Sequence, residues 1–264
     1  MKTEPLLVAL GEYDIGWHDP TTSLKRAAQL IERAAGAGAQ LVVLPEMSTT
    51  GFTMDSAHRS EPLTGHSVTA LADLARRNHV HLLAGVATRE ARGGTGYFNS
   101  ALLFGPDGEL DAHYRKQRLF GYAGEDDYYS PGETPVIATV LGVRIGLFIC
   151  FDLRFPELFR AVAPEVDAFA LIASWPTARR SHWDVLVRAR AIENLSYVVA
   201  VNRTGEGGGV EYNGGSVAYN PWGDPIVEQK EGLLLAHLDP AEVSRIRAAY
   251  PFLAECRPSV LTAD

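Results

Sequence analysis

Cysteine is scarce in this sequence, with only Cys150 and Cys256 among 264 residues. Two cysteines cannot form a disulfide framework in a chain of this size, and a reducing, cytoplasmic setting is expected. Long apolar runs are missing as well. The run Pro5 to Leu10 is short for a signal-peptide core and far short of a membrane span, so no membrane partner is expected. Basic charge is also in short supply. The formal net charge is -8, with a pI near 5.5, and no Lys/Arg stripe marks a nucleic-acid footprint. A pair such as Arg179 and Arg180 suits only a small local anion. Linkers and low-complexity stretches are absent too. What is present is 46% hydrophobic residues, enough for one sizeable core and a single domain over residues 1–264.

Apolar runs rich in Val, Ile and Leu alternate with helical patterns, which points to an α/β architecture. Leu6 to Leu10 reads as a strand. Asp19 can cap a helix with Pro20 in its first turn, Leu24, Ala27, Ala28 and Ile31 share one face, and Gly36 and Gly38 stop it. Leu41 to Leu44 is the next strand and delivers Glu46 to its end. A helix from Ser67 to Asn78 and a strand from Val80 to Val86 follow. Asn99 to Phe104 and Glu109 to Arg115 flank Gly105-Pro106-Asp107-Gly108 and read as a hairpin, with Lys116 just beyond it. Val143 to Ile149 is a strand ending at Cys150, and Pro156 starts a helix. Asp167 to Ala173, a helix from Ser181 to Leu195, and Tyr197 to Asn202 repeat the pattern. Strands at Gly215 to Tyr219 and Pro225 to Gln229 bracket the turn at Asn220 to Gly223. Hairpins mixed with strand-helix units suit two mixed sheets packed together with helices outside, although periodicity alone also allows a three-layer fold.

Cys150 sits between a buried strand and a proline-started helix, where the backbone and helix N-terminus favour a thiolate and the Phe151 N–H can face an oxyanion. A thiol needs a base, because near neutrality only a few per cent is ionised. None of the eight histidines stands in a local relation to Cys150. His79 and His81 share a strand edge, but no further pair with zinc-ligand spacing accompanies them, so no metal is expected. Glu46, after the apolar LVVLP, is the better base, at a rim with low dielectric on one side. Taken singly, a strand-end cysteine is most often a small buried hydrophobe, and Glu46 and Lys116 are most often loop charges.

Together the three resemble a family. LPEMSTTGF, YRKQRLF and FICFDLRFPELFR occur in order and are similar to the three signature regions of the nitrilase, or carbon–nitrogen hydrolase, superfamily. The resemblance runs from the first strand to about Arg257. The segments AGEDDYYSPG and ASWPTARRSHWDVLVRARAIENLSYV look like its bacterial omega-amidase branch. The resemblance implies an αββα four-layer sandwich of two mixed β-sheets flanked by helices, commonly paired into a homodimer or larger homo-oligomer. It implies Cys150 as nucleophile, Glu46 as general base and acid, Lys116 as oxyanion-stabilising cation, and Glu125 as a second carboxylate beside the lysine, within the acidic run Glu125 to Asp127. No cofactor is implied. The expected partner is a small-molecule amide, a 2-oxo dicarboxylic acid monoamide, whose free carboxylate would meet Arg154 or Arg118 while Trp175 lines the pocket. The rival readings are an amidase acting on N-carbamoyl amino acids, one acting on a nitrile, and a silent interaction module. Arg190 and Glu193, near one helical face, are expected to pair structurally.

Overall fold

The structure, a computed structural model, describes residues 4–90 and 96–256; the remainder of the expected domain, and Arg257 at the limit of the resemblance, lie outside the described residues. Strand β1 (Leu6–Leu10) leads to α1 (Pro20–Gly36) and β2 (Leu41–Val43), and then a short helix α2 (Ser56–Arg59) precedes α3 (His66–Asn78). The antiparallel run β3 (His81–Arg89), β4 (Tyr97–Phe104) and β5 (Leu110–Arg115) is followed by one turn of helix, α4 (Glu125–Tyr128). Next come β6 (Ile137–Val140), β7 (Val143–Ile149), α5 (Pro156–Val162), β8 (Ala168–Ala173), α6 (Arg180–Asn194) and β9 (Tyr197–Asn202). The chain continues through a hairpin of β10 (Thr204–Gly207) and β11 (Val210–Asn213), then β12 (Val217–Tyr219), β13 (Glu228–Lys230), β14 (Leu233–Leu238) and α7 (Pro240–Ala249).

Among the described residues these strands build two large mixed sheets, ordered β13-β14-β1-β2-β3-β4-β5 and β12-β9-β8-β7-β6. Alternation along the strands decides what faces what. Leu6, Val8 and Leu10 of β1, with Leu41 and Val43 of β2, pack against Ile145, Leu147 and Ile149 of β7 and Ala168, Ala170 and Ile172 of β8 in the layer between the sheets. The opposite face of the larger sheet packs Ala9, Val42 and Leu82 on α1 and α3 through Ala27, Ile31, Leu71 and Leu74. The outer face of the smaller sheet packs Phe148, Phe169 and Leu171 on α5 and α6 through Phe159, Trp183 and Val187. This is the four-layer αββα sandwich, and the three-layer alternative does not hold.

Local chemistry sets the elements. The Asp19 side chain accepts from the Thr22 N–H at 3.0 Å and Pro20 stands in the first turn of α1. The hairpin expected around Gly105 forms between β4 and β5, and Arg190 pairs with Glu193 at 2.7 Å. The expected late pair around the Asn220 to Gly223 turn needs correction. β12 joins the smaller sheet, while the following segment becomes a strand only at Glu228 and pairs with β14 in the larger one. A single bridge, Tyr219 to Pro225, is all that links them across the turn. Pro221 and Pro225 withhold backbone donors there, so a hairpin ladder cannot extend.

Candidate active site

Strand ends from both sheets converge on one point. From the larger sheet, β2 ends just before Glu46, β4 carries Asn99, and β5 ends just before Lys116. From the smaller sheet, β7 ends at Cys150 and β8 ends before Ser174. Glu125 enters from the start of α4.

Glu46, Lys116 and Glu125 are fully buried. The Lys116 ammonium donates to Glu46 Oε1 at 3.0 Å and to Glu125 Oε1 and Oε2 at 3.0 and 2.8 Å. The Asn99 amide bridges the two carboxylates, donating to each Oε1 at 2.8 Å. The remaining oxygens are also held: the Ser174 N–H donates to Glu46 Oε2 at 2.8 Å and the Phe120 N–H to Glu125 Oε2 at 2.6 Å. Burial alone would lower the pKa of Lys116, but the charges of Glu125 and Glu46 outweigh it and keep the ammonium protonated, above the ordinary lysine value. The turn carrying Glu46 needs a glycine beside it. A side chain at Gly85 would bring its Cβ to 2.6 Å from the Glu46 Cα and the Met47 nitrogen.

Cys150 is half-buried and has φ 46°, in the left-handed region that a branched or bulky side chain avoids. The turn is pinned by Asp152, fully buried, whose carboxylate accepts from the Ile149 N–H at 2.9 Å, the Tyr114 hydroxyl at 2.8 Å and the Arg118 N–H at 2.9 Å. Burial pushes the Asp152 carboxyl up to about 6. The Cys150 thiol is pushed well above its ordinary value by burial first and the Glu46 charge second, against the pull of Lys116. Two carboxylates facing one ammonium leave an excess of negative charge, so a resting thiolate is disfavoured.

The sulfur opens into a cavity of about 810 Å³, also lined by Phe151, Arg154, Trp175, Arg179 and Tyr212, among others. Of the expected substrate contacts, Phe151, Arg154 and Trp175 therefore face this space. Trp175 is held by Asn202, which accepts from its backbone N–H at 2.7 Å and donates to its carbonyl at 3.0 Å. The Arg154 guanidinium lies 5.0 Å over the Trp175 ring and donates to His182 Nδ1 at 3.1 Å. Among the described residues no carboxylate pairs with it. Arg118 is placed differently. Its guanidinium meets Glu157 at 3.8 Å and lies 5.2 Å over the Phe155 ring, and it does not line the cavity. Standing two residues beyond Lys116, it is already past the turn that aims the lysine inward. Asn99, Asp152, Asn202 and the Ser174 N–H escape sequence reasoning. The one signal for Asn99 and Asn202 is an amide in an otherwise apolar strand, which is equally common without function.

No helix among the described residues is long and apolar enough to cross a membrane. His79 caps the end of α3 while His81 meets Asp111 at 3.6 Å, and no cluster of three or more His, Cys, Asp or Glu able to hold a metal occurs among the described residues.

Comparison with known proteins shows the family. The Carbon-nitrogen hydrolase family matches over residues 7–248. The chain belongs to this family, within the nitrilase superfamily, and is a hydrolase acting on carbon–nitrogen bonds other than peptide bonds. It is 32% identical to a 2-oxoglutaramate amidase of Bacillus subtilis, covering 93% of this chain and 95% of the relative. It is 35% identical to the omega-amidase YafV of Yersinia enterocolitica, covering 90% of each. Among solved structures, XC1258 of Xanthomonas campestris, a CN-hydrolase superfamily protein with an arsenic adduct in its active site, superposes with a TM-score of 0.89 at 32% identity, covering 97% of this chain and 99% of that one.

Proposed function

We propose that the protein is a cysteine-dependent omega-amidase that hydrolyses a small carboxylate-bearing amide, of the 2-oxo dicarboxylic acid monoamide class, to the acid and ammonia. The observation that carries this reading is the buried cluster of Glu46, Lys116 and Glu125, tied through the Ser174 N–H to a cavity that Cys150, Ser174 and Arg154 line. The relatives named as 2-oxoglutaramate amidase and omega-amidase support the substrate class.

In the proposed reaction Cys150 attacks the amide carbonyl and its proton passes to Glu46. Lys116 and the Phe151 N–H stabilise the oxyanion, and Glu46 returns the proton to the departing ammonia. The thioester left on Cys150 is then attacked by water, with Glu46 again taking the proton, and the acid leaves. An oxyanion donor of this kind supplies about 3 kcal/mol, and proton transfer a further ~10²- to 10⁴-fold. Glu125, bonded to both Lys116 and the Asn99 amide, holds the cation in register. Arg154 is the proposed partner of the substrate carboxylate. A guanidinium over an aromatic face with no carboxylate neighbour has donors to give a substrate carboxylate, and that contact favours it over an uncharged amide by roughly 10²-fold. We place the protein in the cytoplasm and working as a homodimer or larger homo-oligomer, without a cofactor.

The test is ammonia release over a small panel. Succinamate or 2-oxoglutaramate should be hydrolysed roughly 10²-fold faster than propionamide, and Arg154→Met should narrow the gap. Equal rates on succinamate and propionamide would refute the substrate class, and a preference for an N-carbamoyl amino acid would establish the rival amidase in its place.

A further inference from the structure

We propose that Tyr212 is a substrate-contacting residue whose hydroxyl hydrogen-bonds the distal carboxylate, and that Arg203, beneath its ring, is the positioning residue that holds it there. The inference rests on the carboxylate-bearing amide reading above.

Tyr212 stands on β11, where Glu211 is exposed at the cavity and Tyr212 is turned inward, lining the same cavity as Cys150 with only 4% of its surface exposed. Its hydroxyl takes no hydrogen bond from the described residues. Burial pushes the phenol up to about 12, so it stays protonated and able to donate at neutral pH. The charges of Arg203, Glu46, Cys150 and Arg179 all act on it. Arg179 in turn acts on Arg154. Two guanidiniums and a phenol hydroxyl, from Arg154, Arg179 and Tyr212, thus line one cavity, a set of donors suited to a planar carboxylate.

Arg203 accounts for why the ring stays in place. The side chain is fully buried and its guanidinium lies 4.5 Å from the Tyr212 ring centroid. Nη2 donates to the Ile15 carbonyl at 2.8 Å and the Glu206 carbonyl at 3.0 Å. One guanidinium therefore ties the loop that carries Trp17 to the hairpin that carries Tyr212, two walls of the same cavity. Glycine makes the fit possible, since a Cβ at Gly207 would stand 2.9 Å from Nη1. That Nη1 is buried with no partner among the described residues. The guanidinium also meets Asp14 at 3.4 Å, so it stands under the Tyr212 ring held from several sides with one donor left unbonded.

The experiment is steady-state kinetics of the full chain on succinamate and propionamide, for the wild type, Tyr212→Phe and Arg203→Lys, after thermal melting has established that each is folded. Tyr212→Phe keeps the ring and loses only the hydroxyl. It should raise KM for succinamate roughly 10- to 100-fold, as expected for one hydrogen bond to a charged group, with kcat and the propionamide rates within about threefold. Arg203→Lys keeps the charge but not the planar fork, and should raise the succinamate KM in the same direction with kcat retained. A wild type without preference for succinamate overturns the substrate reading before any variant is compared. A wild type with that preference, and a Tyr212→Phe variant matching it, overturns the tyrosine contact alone. A Tyr212→Phe variant that loses rate equally on both amides also overturns it, because the hydroxyl would then serve the chemistry or the fold.

Discussion

Glu46, Lys116 and Glu125 have all four carboxylate oxygens bonded and no exposed surface, whereas Cys150, across the same junction, is half-buried on a turn with φ 46°. The first group is supplied by the larger sheet and α4, the second by the smaller sheet. The charged half is a closed network in which each member satisfies another, so it is part of the core as well as the site. The Cys150 half stores backbone strain and leaves its sulfur facing the cavity. Fixed charge and thiol are thus separated between two sheets, and the Ser174 N–H on Glu46 is one direct tie between them.

Substitutions on the two sides should therefore separate activity from stability. Cys150→Ala should abolish turnover and leave the melting temperature close to that of the wild type, because alanine meets the same backbone strain and the site opens to solvent. Lys116→Gln should lower the rate by at least about 10²-fold. It should also cost about 3–5 kcal/mol of stability, because two buried carboxylates lose their cation. Kinetics and chemical denaturation of the same two preparations check both. A Lys116→Gln protein as stable as the wild type would break the comparison by showing that the charged half is not structural.

The smallest effect lies away from the site. Burial lowers His113 from 6.5 to about 4, and its Nε2 is 2.9 Å from the Ser100 hydroxyl. The folded chain keeps this ring neutral where the unfolded chain would protonate it. Its contribution is therefore present above pH 6.5 and is lost as the pH falls towards about 4. Asp152, raised to about 6 by burial, acts with the opposite sign, since there the folded chain holds the extra proton. Comparing one variant with the wild type isolates the histidine. Between pH 7 and about 4, His113→Gln should lose less melting temperature than the wild type, by a few degrees. Parallel curves would exclude His113 as a contributor.

Much of this arrangement is legible in the sequence because apolar strands end abruptly at Glu46, Lys116 and Cys150, and three such endings in order carry more than any one. Glu125 is legible only through the family pattern around it, since Asp126 and Asp127 offer the same chemistry and only Glu125 is buried in the site. Less could be read where the backbone decides. The β10–β11 hairpin turns through Gly208 and Gly209, both at positive φ, in a glycine-rich stretch without apolar alternation. Tyr212 and Arg203 accordingly give no period to follow. Arg118 and Arg154 look equivalent in sequence, and only the path of the chain sends the first to Glu157 and the second to the cavity. The late strands divide between sheets because β12 pairs with the preceding β9, while β13 pairs with β14 across its own short turn.

The most direct test of the account is the mass of the protein quenched in acid during turnover of succinamate, for the wild type and for the slower Glu46→Gln variant, followed by peptide mapping. The account predicts an acyl group in thioester linkage on the peptide that carries Cys150, present in at least one of the two. Ammonia release with no acyl group on either protein, or with the acyl group on Cys256 alone, would contradict it.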